Sequence, residues 1–384
     1  MELSIQVMKR ALVYEHTKDL GKNFTVSPLS CTILLSMVAS GLKGEALEQM
    51  MFFLRLKTGL KSIADLISES RRVMAMVSSV NIQGPFPLLF SSVNGAWVDK
   101  KYKLKPSFQH VLKTIYRADS VALDFGNKNE EEVAEINTWV KNATNGLIKE
   151  SVPNHLINNK NTVLILANAL YFKGTWAEPF LPVRNVTKSF YTLDGNMVQV
   201  PYLTEYSLVY SYGSSQGCKI LKLPYKVGNQ KELSFSISFF LPDEKDGLHD
   251  LLKRLSSDSA LLKFKFNQVR MRKIRIPKFK LEYNMEVSDM MEQMGLRLNL
   301  KKDSEMLEDT DPNTVEDMKV CHSCCVEVGE NGCEPLAVQT FDTSTRDVPP
   351  HTVFIADHPF MFMIREDSSE TPIFLGAVVN PLLQ

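Results

Sequence analysis

Residues 163–172, Val-Leu-Ile-Leu-Ala-Asn-Ala-Leu-Tyr-Phe, are nearly continuous apolar sequence, and this run constrains the fold more than any other in the chain. It stops at Lys173-Gly174, which suits a strand buried on both faces of a sheet. Around it the elements are sorted by type. Apolar residues three and four apart predict helices over 33–39, 45–56 and 63–76, with Ser27-Pro28 a start for one of them. Residues 94–98 read as a strand, and 105–115 and 130–144 as two more helices after it, the second with Val133, Ile136 and Val140 on one face. Beyond residue 190 strands dominate, at 199–202, 207–212, 219–223, 233–241, 269–276, 352–355, 360–365 and 372–379. Only two helices, near 248–255 and 286–294, interrupt them. Helices first and strands later, without steady alternation, predict an α+β domain with mixed sheets. With no repeat, low-complexity segment or linker to divide it, the chain is expected to be one domain over 1–384.

A second feature is a strand that runs into a long polar stretch. Met318, Val320, Cys324, Val326 and Val328 alternate, broken only by His322, and predict a strand with one buried face. After Gly329 the hydrophobic density falls, and no strand resumes until about Thr352. Loops of this length inside a domain are functional or disordered. Arg346 is the one Lys or Arg between Gly329 and Thr352, so an exposed loop here would be a substrate for an Arg-cleaving protease.

Several function classes drop out. Lys plus Arg and Asp plus Glu are both 44, which gives no pull toward nucleic acid. No run of eighteen apolar residues spans a membrane, and the N-terminal segment, interrupted by Glu2, Lys9 and Arg10, lacks a signal-peptide core. A cytoplasmic or nucleocytoplasmic chain is the expectation. Six cysteines are too few for a disulfide scaffold. Cys321 and Cys324 form a Cys-x-x-Cys, but residues three apart on a strand face opposite ways and no second pair completes a tetrahedral set, so no metal is expected. Gly-x-Ser-x-Gly, His-Glu-x-x-His and phosphate-cradling glycine loops are all missing, so the chain does not read as an enzyme, and no cofactor is implied.

Seven segments in order resemble the serpin family, and in detail its plant Z-type branch. They are Asn-Phe-Thr-Val-Ser-Pro-Leu-Ser at 23–30, Ala-Asn-Ala-Leu-Tyr-Phe-Lys-Gly-Thr-Trp at 167–176, Leu-Lys-Leu-Pro-Tyr at 221–225, Phe-Leu-Pro-Asp at 240–243, Ile-Pro-Lys-Phe-Lys-Leu at 276–281, and the runs at 356–366 and 374–381. The resemblance implies three β-sheets, about nine helices and an exposed reactive-centre loop at about 330–352. It also implies a monomeric chain whose partner is a target serine or cysteine protease, and family members are sometimes found outside cells. By the same resemblance, cleavage of the loop is expected to form an acyl-enzyme, after which the loop inserts as a new strand in the middle of the large sheet.

Counted by the family pattern, Glu330, Asn331 and Gly332 open the hinge, and the scissile bond falls after the seventeenth residue, between Arg346 and Asp347. Ser27, Ser30, Asn168 and His322 correspond to positions under the centre of the large sheet, where strands part, and Trp176 to the top, where insertion begins. His322, on the apolar face of its strand, needs hydrogen-bond partners there. The hinge departs from the family. Inhibitory members carry small residues, mostly Ala, where this chain has Cys333, Glu334, Pro335, Leu336, Ala337, Val338 and Gln339. On insertion Cys333, Pro335, Ala337 and Gln339 face inward. Pro335 lacks a ladder donor, and a buried Gln339 without a partner costs about 1–3 kcal/mol. Two readings follow: an inhibitor that traps an Arg-cleaving protease, or a non-inhibitory chain, substrate or binding module, on the same scaffold.

Overall fold

The computed structural model describes residues 2–18, 21–55, 62–79, 89–125, 129–153, 156, 161–178, 180, 184, 186–215, 217–226, 233–257, 261, 264–296, 304–308, 317–329 and 352–383. Eight helices lie among them: α1 (Glu2–Lys18), α2 (Pro28–Ser40), α3 (Gly44–Arg55), α4 (Ile63–Ser79), α5 (Pro106–Ile115), α6 (Asn129–Ala143), α7 (Leu248–Ser257) and α8 (Val287–Gln293). Helix α2 starts where Ser27-Pro28 predicts. The Ser27 hydroxyl accepts the Ser30 N–H at 3.1 Å, and Pro28 occupies the first turn. It is buried from Pro28 to Ala39, as a helix apolar all round must be. In α7, by contrast, Leu248, Leu251, Leu252 and Leu255 make one buried stripe.

Three large sheets and a ribbon organise the strands. The central sheet runs β13 (Phe279–Glu286), β15 (Asp317–Val328), β5 (Thr162–Lys173), β2 (Leu89–Asp99), β4 (Asp119–Leu123). A seven-stranded sheet runs β1 (Phe24–Val26), β18 (Thr371–Val378), β17 (Phe360–Glu366), β10 (Phe235–Pro242), β9 (Cys218–Pro224), β8 (Val209–Ser215), β11 (Asn267–Arg270). A four-stranded sheet runs β16 (Val353–Ile355), β12 (Lys273–Pro277), β7 (Met197–Glu205), β6 (Val186–Tyr191), and β14 (Leu307–Glu308) pairs with β3 (Lys103–Leu104). The strand expected over 269–276 is two. At Met271-Arg272 the chain leaves β8 for β16, its amides bonding to Leu208 and Thr352, and so passes from one sheet to the next.

The central sheet positions the site. Strand β5 is buried from Thr162 to Phe172, as its apolar run predicts. It pairs antiparallel with β2 and parallel with β15, in a register that sets His322 beside Asn168 and Val326 beside Phe172. β15 differs from expectation, for both of its faces are buried. On the inner face Val320, Cys324, Val326 and Val328 join the main core with α2. On the outer face Cys321 and Cys325 enter two smaller cores built with Val133, Ile136 and Val140 of α6 and with Ile148, Val152 and Leu156 of the segment after it. Alternation predicted one buried face because Lys319, Ser323 and Glu327 interrupt the other, yet α6 covers its middle at Cys321, Ser323 and Cys325. No helix among the described residues is long and apolar enough to cross a membrane.

Candidate functional site

The residues singled out under the sheet meet where β15 and β5 pair. The Nε2 of His322 accepts the backbone N–H of Ser27, the cap of α2, at 3.1 Å. A neutral ring whose Nε2 accepts carries its proton on Nδ1. Burial alone pushes the His322 pKa down, from 6.5 to about 3, so the ring is neutral at physiological pH. Beside it Asn168 donates through Nδ2 to Asn94 Oδ1 at 2.7 Å and to Ser92 Oγ at 3.0 Å, and Asn94 donates to the Tyr116 carbonyl at 2.7 Å. Ser30 Oγ, Asn168 Oδ1 and His322 Nδ1 are buried without a hydrogen-bond partner among the described residues. Each such atom costs about 1–3 kcal/mol. The closed seam therefore holds an orphan donor on His322, an orphan acceptor on Asn168 and an unused hydroxyl. Serine, asparagine and histidine at these positions are poor choices for a sheet meant only to stay shut.

Trp176 stands at the other end of the seam. Its Nε1–H donates to the carbonyl of Gly329, the residue just past β15, at 3.0 Å. Its ring stacks on Tyr225 at 4.8 Å and 12°, with Phe180 edge-on at 5.8 Å. Gly174 is needed for this stack, since a Cβ there would lie 2.5 Å from the Tyr225 ring. Lys173 of β5 and Glu327 of β15 form an ion pair at 3.5 Å across the seam, both about 30% exposed and so worth at most about 1 kcal/mol.

Ser27, Asn168 and His322 are thus brought together, with Ser30 one helical turn from Ser27, and Trp176 is held at the upper end. The expected reactive bond Arg346–Asp347 and the expected hinge from Glu330, Asn331 and Gly332 through Cys333, Glu334, Pro335, Leu336, Ala337, Val338 and Gln339 lie outside the described residues. Cys321 and Cys324 point to opposite faces of β15, into different cores. The sequence reading missed Asn94, Ser92, Gly329 and Tyr225. A polar Asn94 inside a predicted strand was a usable signal for the first. Nothing local marked the others: Ser92 accepts through its hydroxyl, Gly329 through its carbonyl, and Tyr225 stacks its ring, each on a distant element.

Comparison with known proteins places this arrangement. A family model described as Serpin (serine protease inhibitor) matches residues 6–381. Serpin-Z2B of Triticum aestivum is 37% identical over 371 residues, covering 94% of this chain and 90% of its own. Serpin-ZX of Arabidopsis thaliana is 34% identical, covering 99% and 97%. The solved structure of Arabidopsis AtSerpin1 in its native stressed conformation superposes with a TM-score of 0.87 at 33% identity, covering 99% of this chain and 96% of that one. Uncleaved ovalbumin, 19% identical with a TM-score of 0.81, shares the fold. The motifs at 23–30, 167–176, 356–366 and 374–381, the central sheet with its polar seam, and these matches lead to one conclusion: the chain belongs to the serpin family.

Proposed function

We propose that this chain is a suicide-substrate inhibitor of an Arg-cleaving endopeptidase, trypsin-like serine or Arg-specific cysteine, and that it offers the Arg346–Asp347 bond as bait. The observation that carries this reading is the seam. β15 and β5 are direct parallel neighbours, and the segment from residue 330 continues from the end of β15. A chain that turns back after β15 runs antiparallel to β15 and hence to β5. It can enter between them without a crossover, exchanging one parallel ladder for two antiparallel ones.

Register gives the reading detail. Pairing Cys333 with Val328, after a turn over 329–332, and counting outward in step brings Pro335 opposite Val326, Ala337 opposite Cys324 and Gln339 opposite His322. Opposed residues share a face, and those β15 residues face the inner side, as the four loop residues must. At about 3.3 Å per residue the fourteen residues from Cys333 to Arg346 extend about 46 Å. The carbonyl of Arg346, esterified to the protease nucleophile, would be drawn past Asp317 to the far end of the sheet. Catalytic groups are the protease's own; this chain supplies the bond and the displacement.

Gln339 then has a use. Its amide oxygen can accept from the His322 Nδ1–H and its amide nitrogen can donate to Asn168 Oδ1, which matches the two orphans in kind. The residue that looked like a buried liability meets an acceptor and a donor that the closed seam leaves unused. Pro335 supports the second reading, that the chain is cut without trapping. It leaves one carbonyl of a flanking strand without a donor, about 1–3 kcal/mol against insertion. Each ~1.4 kcal/mol in the insertion barrier slows insertion about tenfold relative to hydrolysis of the acyl-enzyme. Mixing the chain with trypsin and running a denaturing gel decides between the two. A covalent band at the summed mass supports trapping. A clipped chain alone refutes it for that protease, and Arg346→Ala should abolish both products.

A further inference from the structure

Two cysteines of β15, Cys321 and Cys325, have no part in the trap, and their surroundings give them another role. Cys321, Ser323 and Cys325 line the outer face of β15, and all three are covered by α6 and the segment that follows it. Cys321 packs with Val133, Ile136, Val152 and Leu156, Cys325 with Val140 and Ile148, and both thiols are at most 2% exposed. Between them the Ser323 hydroxyl donates to Ser151 Oγ at 2.7 Å, and Asn137 of α6 accepts the N–H groups of Ser151 and Val152 and donates to the Val152 carbonyl. The same two cores take Ile165, Ala167, Ala169 and Tyr171 from β5. One cover is therefore pinned across both banks of the seam. Widening the seam by one strand, about 4.8 Å, must shear these contacts and lift the cover.

Closed, the thiols are inert: burial pushes Cys325 up to about 12 and Cys321 higher still. They cannot bridge one another. Cys321 and Cys325 are four residues apart along a strand, about 13 Å, and Cys324 faces the opposite side; disulfide Cα atoms lie within about 7 Å. An incoming small thiol reagent is the chemistry left to them.

We propose that Cys321 and Cys325 form a conditional modification site, closed under α6 and open to a low-molecular-weight disulfide whenever the cover lifts, and that an adduct there holds α6 off the sheet. The step is thiol–disulfide exchange. The cysteine thiol loses its proton to solvent, and its thiolate attacks one sulfur of glutathione disulfide. The old S–S bond breaks as the new one forms, and one glutathione leaves as a thiolate that takes up a proton. A tripeptide has no room beneath a fully covered strand, so the adduct and the seated helix exclude each other. The inference rests on the proposed function for one opening event, entry of a strand into the seam, and for its consequence, that an adducted chain would be clipped rather than trap. Its test uses no protease, so the two can fail separately.

The full chain carrying Cys333→Ala is incubated with N-ethylmaleimide, and labelling is mapped by mass spectrometry. Cys218, buried in the core under α7, reports global unfolding. Cys321 and Cys325 should label at least tenfold faster than Cys218, and Asn137→Ala, which unpins the cover, should speed both about tenfold further without changing Cys218. Glutathione disulfide should then form mixed disulfides at these two positions and abolish the near-ultraviolet dichroism of the Trp139–Trp97 pair, which joins α6 to β2 edge-on at 5.2 Å. Cys321→Ala with Cys325→Ala should keep that signal in the presence of the disulfide. Labelling of Cys321 and Cys325 no faster than Cys218, or an adducted chain with an unchanged tryptophan signal, overturns the proposal.

Discussion

Replacing Gln339 by Leu separates two accounts of the hinge because they predict opposite signs. Leucine has nearly the volume of glutamine, so packing in the inserted strand is kept while both amide groups are lost. If Gln339 enters the seam without partners, its burial costs about 1–3 kcal/mol, and leucine should relieve that cost, stabilising the inserted form and speeding insertion. If it meets the Nδ1–H of His322 and the Oδ1 of Asn168, leucine returns both to the unpartnered state they hold in the closed seam. The inserted form then loses about 2 kcal/mol, taking about 1 kcal/mol per hydrogen bond. Were half of that present at the transition state, insertion would slow about fivefold. The assay is a titration of each chain against trypsin, with covalent complex and clipped chain quantified on the same denaturing gel. It is paired with the guanidinium midpoint of the loop-cleaved protein. The expected result is a several-fold rise in clipped product per complex and a lower midpoint for Gln339→Leu. Equal or better trapping with an unchanged or higher midpoint would refute the hydrogen-bonded register.

Pro335→Ala restores one ladder donor and should raise the trapped fraction several-fold on the same gel, and no gain would remove proline as the limiting feature. His322 links stability to pH. The unfolded chain takes up a proton below about pH 6.5, whereas the buried ring resists until about pH 3. Stability is therefore lost as pH falls through that window, by up to about 1.4 kcal/mol per pH unit from this group. Urea midpoints from pH 7 to pH 4 should fall more steeply for the unaltered chain than for His322→Gln, and parallel slopes would contradict a neutral buried ring. Trp176→Phe keeps the stack on Tyr225 but removes the N–H that holds the Gly329 carbonyl. It should cost about 1 kcal/mol, roughly 1–2 °C in the melting midpoint of a chain this long, readable by calorimetry on the uncleaved protein.

What could be read from the sequence followed from how local the governing physics is. The apolar run ending at Lys173-Gly174 had to be a doubly buried strand, and Ser27-Pro28 carried its own capping chemistry. Both are settled within a few residues. β6 and β4 were not anticipated because they are partly exposed edge strands whose pattern is neither alternating nor continuously apolar. The outer face of β15 was misjudged for a related reason. Lys319, Ser323 and Glu327 interrupt the two thiols of that face, and only the passage of α6 over its middle makes it a core. The seam shows where local reading ends. That His322 and Asn168 are polar was visible, but the donor left on one and the acceptor left on the other depend on Ser27 and Asn94, which reach them from two other strand–helix units. On the proposed function, those orphan atoms would let a sheet with a well-packed inner face open at its centre. The apolar contacts of Val320, Cys324 and Val326 resist parting, while the polar centre between them gains from a newcomer that can answer both orphans. On the proposed function, unpartnered polar atoms at the centre of the seam and an incoming strand with an amide at that register would make release depend on residue 339 as much as on residue 346.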